Sequence, residues 1–315
     1  MRSDAAVHRP VLVAVPTYCR VPQLPALVRA IRQDAQTVEA DLRLLVVDND
    51  PDRSAEQTAA TLGVDYLAEP IPGIAANRQA ALDAAADDEL VVMIDDDLMP
   101  EPGWLQGLVD AWLRYQPAAV MGYVRYVWPE GTDPWIAAGG FVRRTEFPTG
   151  QRLSTFVTGN VLIDAAKVRA LGVRFDVSLG LSGGSDVQFG RDLLASGGVI
   201  VASADSVARD DIEAARTTRA FVRRRTICQG QVRARLFTRA DTRASNLAKR
   251  AGFLVGGIVR LPAFAVAELT ARARGDLAGS AGYRRRIWFA QGRILGAVGR
   301  DEFEYARATP APALP

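Results

Sequence analysis

Residues 91–100, VVMIDDDLMP, carry the pattern that best indicates the fold of this chain. The stretch begins with four apolar residues, three of them β-branched, which is typical of a buried strand. The strand ends at Asp95, Asp96 and Asp97, and in an open α/β sheet ligands bind just beyond the carboxyl ends of the strands. Three adjacent carboxylates repel one another, whereas carboxylate oxygens suit Mg²⁺ or Mn²⁺. We therefore predict a divalent-cation site here; the alternative is a solvated acidic turn that caps a helix beginning near Glu101.

The composition is that of an ordinary globular protein. The chain has 315 residues, 49% apolar and 23% charged, which is enough for one large domain or two. Its two cysteines, Cys19 and Cys228, predict no disulfide framework and fit a reducing cytosol. The first ten residues are too polar for a signal peptide, so we expect a cytoplasmic location. The single histidine, His8, argues against histidine catalysis and histidine-rich metal sites.

Charge is unevenly distributed along the chain, although the net charge is only +2. Residues 1–208 carry 17 Lys and Arg against 27 Asp and Glu. Residues 209–300 carry 20 against 6, and residues 301–315 carry 1 against 3. The basic region indicates an anionic partner, such as a membrane surface, nucleic acid or an acidic substrate. We expect these three segments to be the domains of the chain, the last being a disordered tail.

Strand and helix patterns alternate through residues 11–202. Strands are predicted at 11–15, 42–47, 64–67, 91–94, 118–124, 156–163 and 199–202, the last closing the sheet. Helices are predicted at 24–31, 54–62, 74–86, 101–115, 165–171 and 187–195. This order predicts an α/β fold with a mostly parallel sheet flanked by helices. The first strand leads into PTYCR and not into G-x-G-x-x-G, which argues against a dinucleotide-binding domain.

An irregular stretch at residues 123–156 is rich in aromatic side chains. Such faces suit an amphipathic ligand such as a sugar ring, but they are equally typical of a small satellite core. The aromatic residues are Tyr123, Tyr126, Trp128, Trp135, Phe141, Phe147 and Phe156.

The basic region 209–300 interleaves arginines with apolar residues and has a pattern compatible with helices. It contains an apolar stretch, residues 251–269, which Arg260 and Pro262 interrupt. A spanning helix needs about 20 apolar residues with few charges, so we favour an amphipathic element on an anionic membrane surface. A spanning helix and a soluble helical subdomain remain alternatives. The apolar stretch favours lipid over nucleic acid as the anionic partner.

Four segments, in order and spacing, resemble the family 2 glycosyltransferases, which have the GT-A fold. The resemblance covers roughly residues 10–205. Residues 13–20 resemble the opening strand and nucleotide loop of that family, and residues 44–51 resemble its second strand with a base-binding acid. Residues 91–105 resemble its DXD motif. The segments VTGNVLI and LSGGSDVQFGRDLLASG resemble its region with the catalytic base, although Ser185 stands where many members have Glu.

The resemblance implies an inverting transfer from a nucleoside-diphosphate sugar, most simply UDP-linked, to a hydroxyl of a glycan or lipid-linked acceptor at the inner face of the cell membrane. It implies Asp186 as the general base. It implies Mn²⁺ or Mg²⁺ bound by Asp97 and Asp95. The nucleotide-sugar contacts that it implies are Pro16, Thr17, Tyr18, Asp48, Arg78, Asp95 and Asp96.

Three of these assignments have a structural alternative. Asp48 fits an Asx turn before Pro51, Arg78 a solvated helix position, and Asp186 the N-cap of the helix at 187–195. For the whole chain, a nucleotidyltransferase would also place carboxylates around a metal, but it would need a glycine-rich or basic loop after the first strand. A non-enzymatic nucleotide-binding or scaffold protein is the third alternative.

Overall fold

The computed structural model describes residues 9–142, 144–238 and 243–299. The chain folds into two compact units, and each unit draws on several segments of the sequence. The described residues of the first unit lie within Met1–Glu130, Val142–Ser178 and Ser185–Glu213. Those of the second lie within Gly131–Phe141, Leu179–Gly184 and Ala214–Pro315.

The first unit is an eight-stranded sheet between two layers of helices. Its strands are β1 (Val11–Thr17), β2 (Leu42–Asp48), β3 (Asp65–Ala68), β4 (Leu90–Ile94), β5 (Leu98–Pro100), β6 (Ala119–Val127), β7 (Asn160–Asp164) and β8 (Ile200–Asp211). Its helices are α1 (Leu24–Ala35), α2 (Glu56–Leu62), α3 (Ile74–Asp83), α4 (Trp104–Tyr115), α6 (Ala165–Ala170) and α7 (Ser185–Ala195). The second unit holds α5 (Pro134–Ala138), α8 (Arg219–Thr238), α9 (Arg243–Ile258), α10 (Arg260–Ala273) and α11 (Leu277–Ala297).

The strand order is β3-β2-β1-β4-β7-β6-β8-β5. The first four strands are parallel, β6 and β8 are parallel to each other, and β7 and β5 run antiparallel to their neighbours. This confirms the predicted α/β class with a mostly parallel sheet and a helical basic C-terminal region. β1 shows why the sheet is buried on both faces: Val11, Val13 and Val15 contact one helical layer, and Leu12 and Ala14 contact the other.

Two predicted strands differ from the structure. The strand predicted at 156–163 begins only at Asn160, because Gly159 adopts a φ of 105° and Phe156 packs into the core against Phe189. The strand predicted at 199–202 continues to Asp211, and it does not close the sheet, because β5 pairs outside it. The extension was missed because its polar sequence lacks the apolar signal of a buried strand.

Asn160 holds β7 in place next to the end of β4. It is fully buried and accepts a hydrogen bond from Trp104 Nε1 (2.7 Å). Its amide donates to the carbonyl oxygens of Tyr123 (2.9 Å) and Ser206 (3.2 Å). Removing a buried amide that serves three partners would leave all three unsatisfied, so this position is strongly constrained. The residue before it, Gly159, is thereby fixed beside the acidic triplet.

The second unit is a helical assembly built on α8 and α11. These helices approach so closely that a Cβ added to Gly292 would clash with the carbonyl oxygen of Ile227. Trp135 packs against Phe141 (ring centroids 5.2 Å apart) and Trp288 (6.0 Å). Trp135 and Phe141 therefore form a satellite core, which was one of the two interpretations of the aromatic stretch.

One segment of the second unit is exposed although it is apolar. α9 and α10 follow one another with only Val259 between them. Within the described residues, the run Ser245–Ala273 is the helix long and apolar enough to cross a membrane, judged by length and composition alone. Only 11% of its most apolar window is buried.

Candidate active site

The acidic triplet lies where the order of the strands reverses. β1 lies between β2 and β4, and these three parallel strands end at the same edge of the sheet. Their ends deliver Thr17, Asp48 and Asp95 to that edge. Such a reversal leaves a crevice, which is where open α/β sheets bind their ligands.

Asp96 is the buried centre of this cluster. The Thr17 hydroxyl donates to its Oδ2 (2.7 Å), and Arg20 Nη1 donates to its Oδ1 (3.1 Å). Burial raises the pKa of Asp96 to about 6, against the hydrogen bond from Thr17 and the charge of Arg20. The charges of Asp97 and Asp95 raise this pKa further. Asp96 is thus held by protein groups at the base of the crevice.

Two arginines counter the repulsion within the triplet. Arg20 Nη1 lies 2.7 Å from Asp97 Oδ2, and Arg78 Nη2 lies 3.3 Å from Asp95 Oδ1. Arg78 is buried, so the interpretation of a solvated helix arginine is wrong. The sequence had suggested that a cation relieves the repulsion between the three carboxylates. In the structure, these two arginines also relieve it.

The triplet fits a divalent cation that takes its remaining ligands from the phosphate oxygens of a bound molecule. Asp95 and Asp97 keep 29% and 25% of their side chains exposed, so hard oxygen donors reach the crevice. Within the described residues, no group of three or more His, Cys, Asp or Glu side chains converges into a complete metal site. This is the donor set of Mg²⁺-type sites in which one or two carboxylates bind and phosphate oxygens supply other ligands.

Gly159 leaves the space that Asp95 occupies. Its φ of 105° is one that side chains disfavour, and an added Cβ would lie 2.5 Å from Asp95 Oδ2. The same Cβ would lie 3.5 Å from Nη2 of Arg144, which donates to the Thr158 carbonyl oxygen (3.2 Å). Arg144 Nη1 and the Thr158 hydroxyl are buried without a partner among the described residues. Polar groups with bonding capacity to spare thus adjoin Asp95.

We expect Gly159→Ala to displace Asp95 as well as strain the backbone. The strain should destabilise the protein by about 1–3 kcal/mol. Affinity for the nucleoside-diphosphate sugar that the resemblance implies, the donor, should fall as Asp95 moves. Gly172→Ala is the matched control, because Gly172 also has a positive φ (66°) but has nothing within 4 Å of an added Cβ. Thermal unfolding and donor titration of both variants check this. Equal loss of donor affinity in the two variants would contradict the role of Gly159.

Asp48 holds a loop. It is fully buried, and its Oδ1 accepts from the Asp50 N–H (2.9 Å), as in the Asx turn considered above. Its Oδ2 accepts from the Ala55 N–H (2.9 Å) and the Tyr66 hydroxyl (3.2 Å). The carboxylate is occupied by the protein, so its direct effect is to shape residues 49–55 beside Thr17.

Two asparagines join this loop to α3 and β1. The Asn49 amide donates to the carbonyl oxygens of Glu69 (2.8 Å) and Ile71 (2.7 Å). The Asn77 amide donates to the Thr17 carbonyl oxygen (3.2 Å). The structure gives the predicted nucleotide contacts Pro16, Thr17 and Tyr18 different exposures. Pro16 and Thr17 are buried at the end of β1, and Tyr18 is exposed.

Sequence reasoning missed Arg20, Asn77 and Arg144 as members of the site. Arg20 had a signal, since it ends the quoted PTYCR loop after the first strand. Asn77 stands next to Arg78 on α3 but looks like any polar helix residue. Arg144 lies in an irregular segment with no pattern to identify it.

Asp186, the predicted general base, makes hydrogen bonds separate from those of the acidic triplet. It is half-buried in the first turn of α7, and its Oδ1 accepts from the Val187 N–H (2.8 Å). Within the described residues, no hydrogen bond or ion pair links it to the triplet. α7 itself is anchored nearby, because Gly190 lies against Phe156, three residues before Gly159. The structure thus brings together Thr17, Arg78 and the triplet and places Asp186 on a helix fixed to the adjoining segment.

Known proteins resemble this chain over most of its length. Residues 12–172 match the model of the family described as "Glycosyl transferase family 2". The succinoglycan biosynthesis protein ExoM of Rhizobium meliloti (strain 1021) is 29% identical over 230 residues, which are 71% of this chain and 74% of that protein.

Two solved structures share the fold. The first is the mannosyltransferase PcManGT from Pyrobaculum calidifontis in complex with GDP-Man and Mn²⁺; it has a TM-score of 0.61 and 19% identity, covering 93% of this chain and 88% of that one. The second is S. aureus TarS 1-349 in complex with UDP-GlcNAc, with a TM-score of 0.50 and 13% identity, covering 87% and 90% of the two chains.

Proposed function

The chain belongs to glycosyl transferase family 2, and from this we propose that it transfers a sugar, with inversion, from a nucleoside-diphosphate sugar to a hydroxyl of a glycan or lipid-linked acceptor. Membership makes the chain a glycosyltransferase with a GT-A-type fold, as its sequence predicted. It also argues against the nucleotidyltransferase and non-enzymatic alternatives. The observation that carries the proposal is the convergence of Thr17, Arg20 and the three aspartates at the crevice between β1 and β4.

The nucleotide part of the donor binds along the ends of β1 and β2. We infer that Pro16, Thr17 and Tyr18 contact the nucleotide, beside the loop that Asp48 holds. We propose UDP as the nucleotide of the donor. Arg78 pairs with Asp95 at this crevice, and we infer that its guanidinium also binds a phosphate oxygen of the donor.

Asp97 and Asp95 would hold Mn²⁺ or Mg²⁺. The cation supplies Lewis-acid stabilisation of the charge on the departing diphosphate. Arg20 pairs with Asp96 and Asp97 and orients them, and the Thr17 hydroxyl donates to Asp96, which we infer contacts the ribose. The fold neighbour PcManGT was solved with GDP-Man and Mn²⁺, which supports a nucleotide sugar and a cation.

Asp186 is the general base of this proposal. Its carboxylate takes the proton of the acceptor hydroxyl as that oxygen forms a bond to the anomeric carbon. The bond from this carbon to the diphosphate breaks in the same step, and its electron pair leaves with the nucleotide. One displacement inverts the configuration of the sugar. An ordinary carboxylate is a modest base, so positioning by α7 contributes more than basicity.

The acceptor is of the polysaccharide type, and the reaction takes place at the cytoplasmic face of the membrane. The relative ExoM is named for succinoglycan biosynthesis, which supports an envelope polysaccharide. The exposed apolar run Ser245–Ala273 and the basic residues of the second unit support peripheral binding to an anionic membrane.

A donor panel tests this function. UDP-glucose, UDP-N-acetylglucosamine and GDP-mannose are incubated with the full chain, with Mn²⁺ or with a chelator, and released nucleotide is measured. We expect release from one donor class only when the cation is present, and an inverted anomeric configuration in the product by NMR. If no donor binds in the presence of the cation, the assignment of the crevice is overturned.

A further inference from the structure

Arg20 lies between two carboxylates of the acidic triplet. Its Nη1 donates to Asp97 Oδ2 (2.7 Å) and to Asp96 Oδ1 (3.1 Å). One nitrogen thus bridges oxygens of two adjacent aspartates, as a divalent cation does when two carboxylates share it. Because a guanidinium stays protonated in proteins, this contact carries a full positive charge. Arg20 therefore supplies at Asp97 the kind of charge that the proposed cation would supply there.

The backbone that carries Arg20 is held in place, whereas its side chain reaches solvent. The Thr17 carbonyl oxygen accepts from the Asn77 amide (3.2 Å). Cys19, directly before Arg20, adopts a φ of 54°, and its Sγ donates to Asp50 Oδ2 (3.4 Å). The Arg20 side chain itself is 31% exposed. The guanidinium can therefore leave Asp97 by rotation of its side chain, without a change in the loop.

Arg20 and a divalent cation compete for Asp97. Asp97 is partly exposed, so a cation from solvent reaches it. Mg²⁺ binds carboxylate oxygens at about 2.0–2.1 Å, which would place it close to the guanidinium that contacts Asp97 Oδ2. Two cations on one carboxylate repel each other, and a divalent ion doubles the repulsion between unit charges. A cation therefore binds Asp97 tightly only after Arg20 has left it.

The charges of this cluster favour a cation only together with a diphosphate. Arg20 and Arg78 bring two positive charges to the three carboxylates of the triplet. A divalent cation added alone would reverse the sign of the cluster. A nucleoside diphosphate that binds with it supplies balancing negative charge and further oxygen ligands. Its oxygens are also strong acceptors for a guanidinium that has left Asp97.

We propose that Arg20 takes the place of the divalent cation at Asp97 before the donor binds. Mn²⁺ or Mg²⁺ displaces it from Asp97 when a nucleoside diphosphate binds at the same time. Arg20 stays beside Asp96 in this exchange, and its guanidinium turns to the diphosphate. The exchange requires the cation site proposed above and adds the order in which its ligands arrive. Arg20 thereby makes cation and nucleotide bind cooperatively.

Titration of the full chain with Mn²⁺ tests this exchange, with bound ion measured as the loss of the electron paramagnetic resonance signal of free Mn²⁺. We expect weak binding by the wild type alone and roughly tenfold tighter binding when UDP or GDP is added. Without nucleotide, Arg20→Gln should bind Mn²⁺ roughly tenfold more tightly than the wild type, because it removes a competing charge. Arg20→Lys should behave as the wild type, because it keeps that charge.

Arg174→Gln is the matched control, because it also removes one positive charge from an ion pair of the first unit. Arg174 Nη2 lies 2.7 Å from Oδ2 of Asp83, the last residue of α3. The first turns of this helix carry Asn77 and Arg78 to the crevice, so its other end lies away from the triplet. We expect wild-type affinity for Mn²⁺ with and without nucleotide. An equal gain in the two glutamine variants would reflect net charge and overturn the exchange.

The remaining outcomes separate the exchange from the cation site. If Arg20→Gln binds Mn²⁺ no more tightly than the wild type without nucleotide, Arg20 only organises the triplet and the exchange is overturned. The cation site then still stands on the binding measured with nucleotide. If no variant binds Mn²⁺ even with nucleotide, the cation site is overturned as well. Thermal unfolding gives a second readout: Mn²⁺ should raise the unfolding temperature of Arg20→Gln more than that of the wild type, because it binds the folded variant more tightly.

Discussion

An Asp186→Asn variant is expected to lose about 10²- to 10⁴-fold in kcat while its affinity for the donor stays unchanged. Asparagine keeps the shape of the side chain and its bond from the Val187 N–H, but it cannot accept a proton from the acceptor. Because no hydrogen bond among the described residues links Asp186 to the triplet, we expect donor binding to be unchanged. Donor titration and single-turnover transfer separate the two effects.

Asp192→Asn is the matched control for this variant. Asp192 lies on the same helix and accepts from Gln188 Nε2 (2.7 Å), so the same chemical change is made two turns along α7. We expect near wild-type turnover. If Asp186→Asn retained full turnover, or if the two variants lost it equally, the base would have to be sought elsewhere.

Asp97→Ala should lower cation-dependent turnover roughly 10³-fold, equivalent to about 4 kcal/mol of lost cation stabilisation. The variant removes one proposed cation ligand and one partner of Arg20, while Arg20 keeps Asp96. We therefore expect weaker donor binding and a higher Mn²⁺ requirement without loss of the fold. Nucleotide release measured against Mn²⁺ concentration, beside thermal unfolding, checks this.

Asp110→Ala serves as its control. Asp110 is an exposed carboxylate on α4 that accepts from Gln106 Nε2 (2.7 Å). The net charge changes equally in both variants, so a general electrostatic effect would alter both. An unchanged Mn²⁺ dependence in Asp97→Ala would show that Asp97 does not bind the cation.

The sequence predicted the residues of the site that stand directly at the ends of strands, above all the three aspartates after β4. An apolar run that stops at three aspartates is a local signal, and parallel strands bring such ends to one edge. The alternation of strands and helices predicted the class of fold for the same reason. Strand β5 escaped prediction because its three residues carry no period.

The contacts within the site were beyond local patterns. Thr17 and Asp96 are 79 positions apart, and Arg20 and Asp97 are 77 apart. The fit of Gly159 against Asp95 depends on two strands that meet only in the folded sheet. Periodicity describes which face a residue occupies, so it cannot indicate which distant side chain will complete an ion pair.

The interleaved units also bear on how the chain is made. Trp135 belongs to residues 131–141 but donates to the Ser280 hydroxyl (3.2 Å), 145 positions later, and packs against Trp288. α11 must therefore be synthesised before this aromatic cluster can close, so residues 131–141 lack their partner until about 145 further residues have been added. A chain ending at Glu213 would therefore contain residues 131–141 without the helix against which they pack.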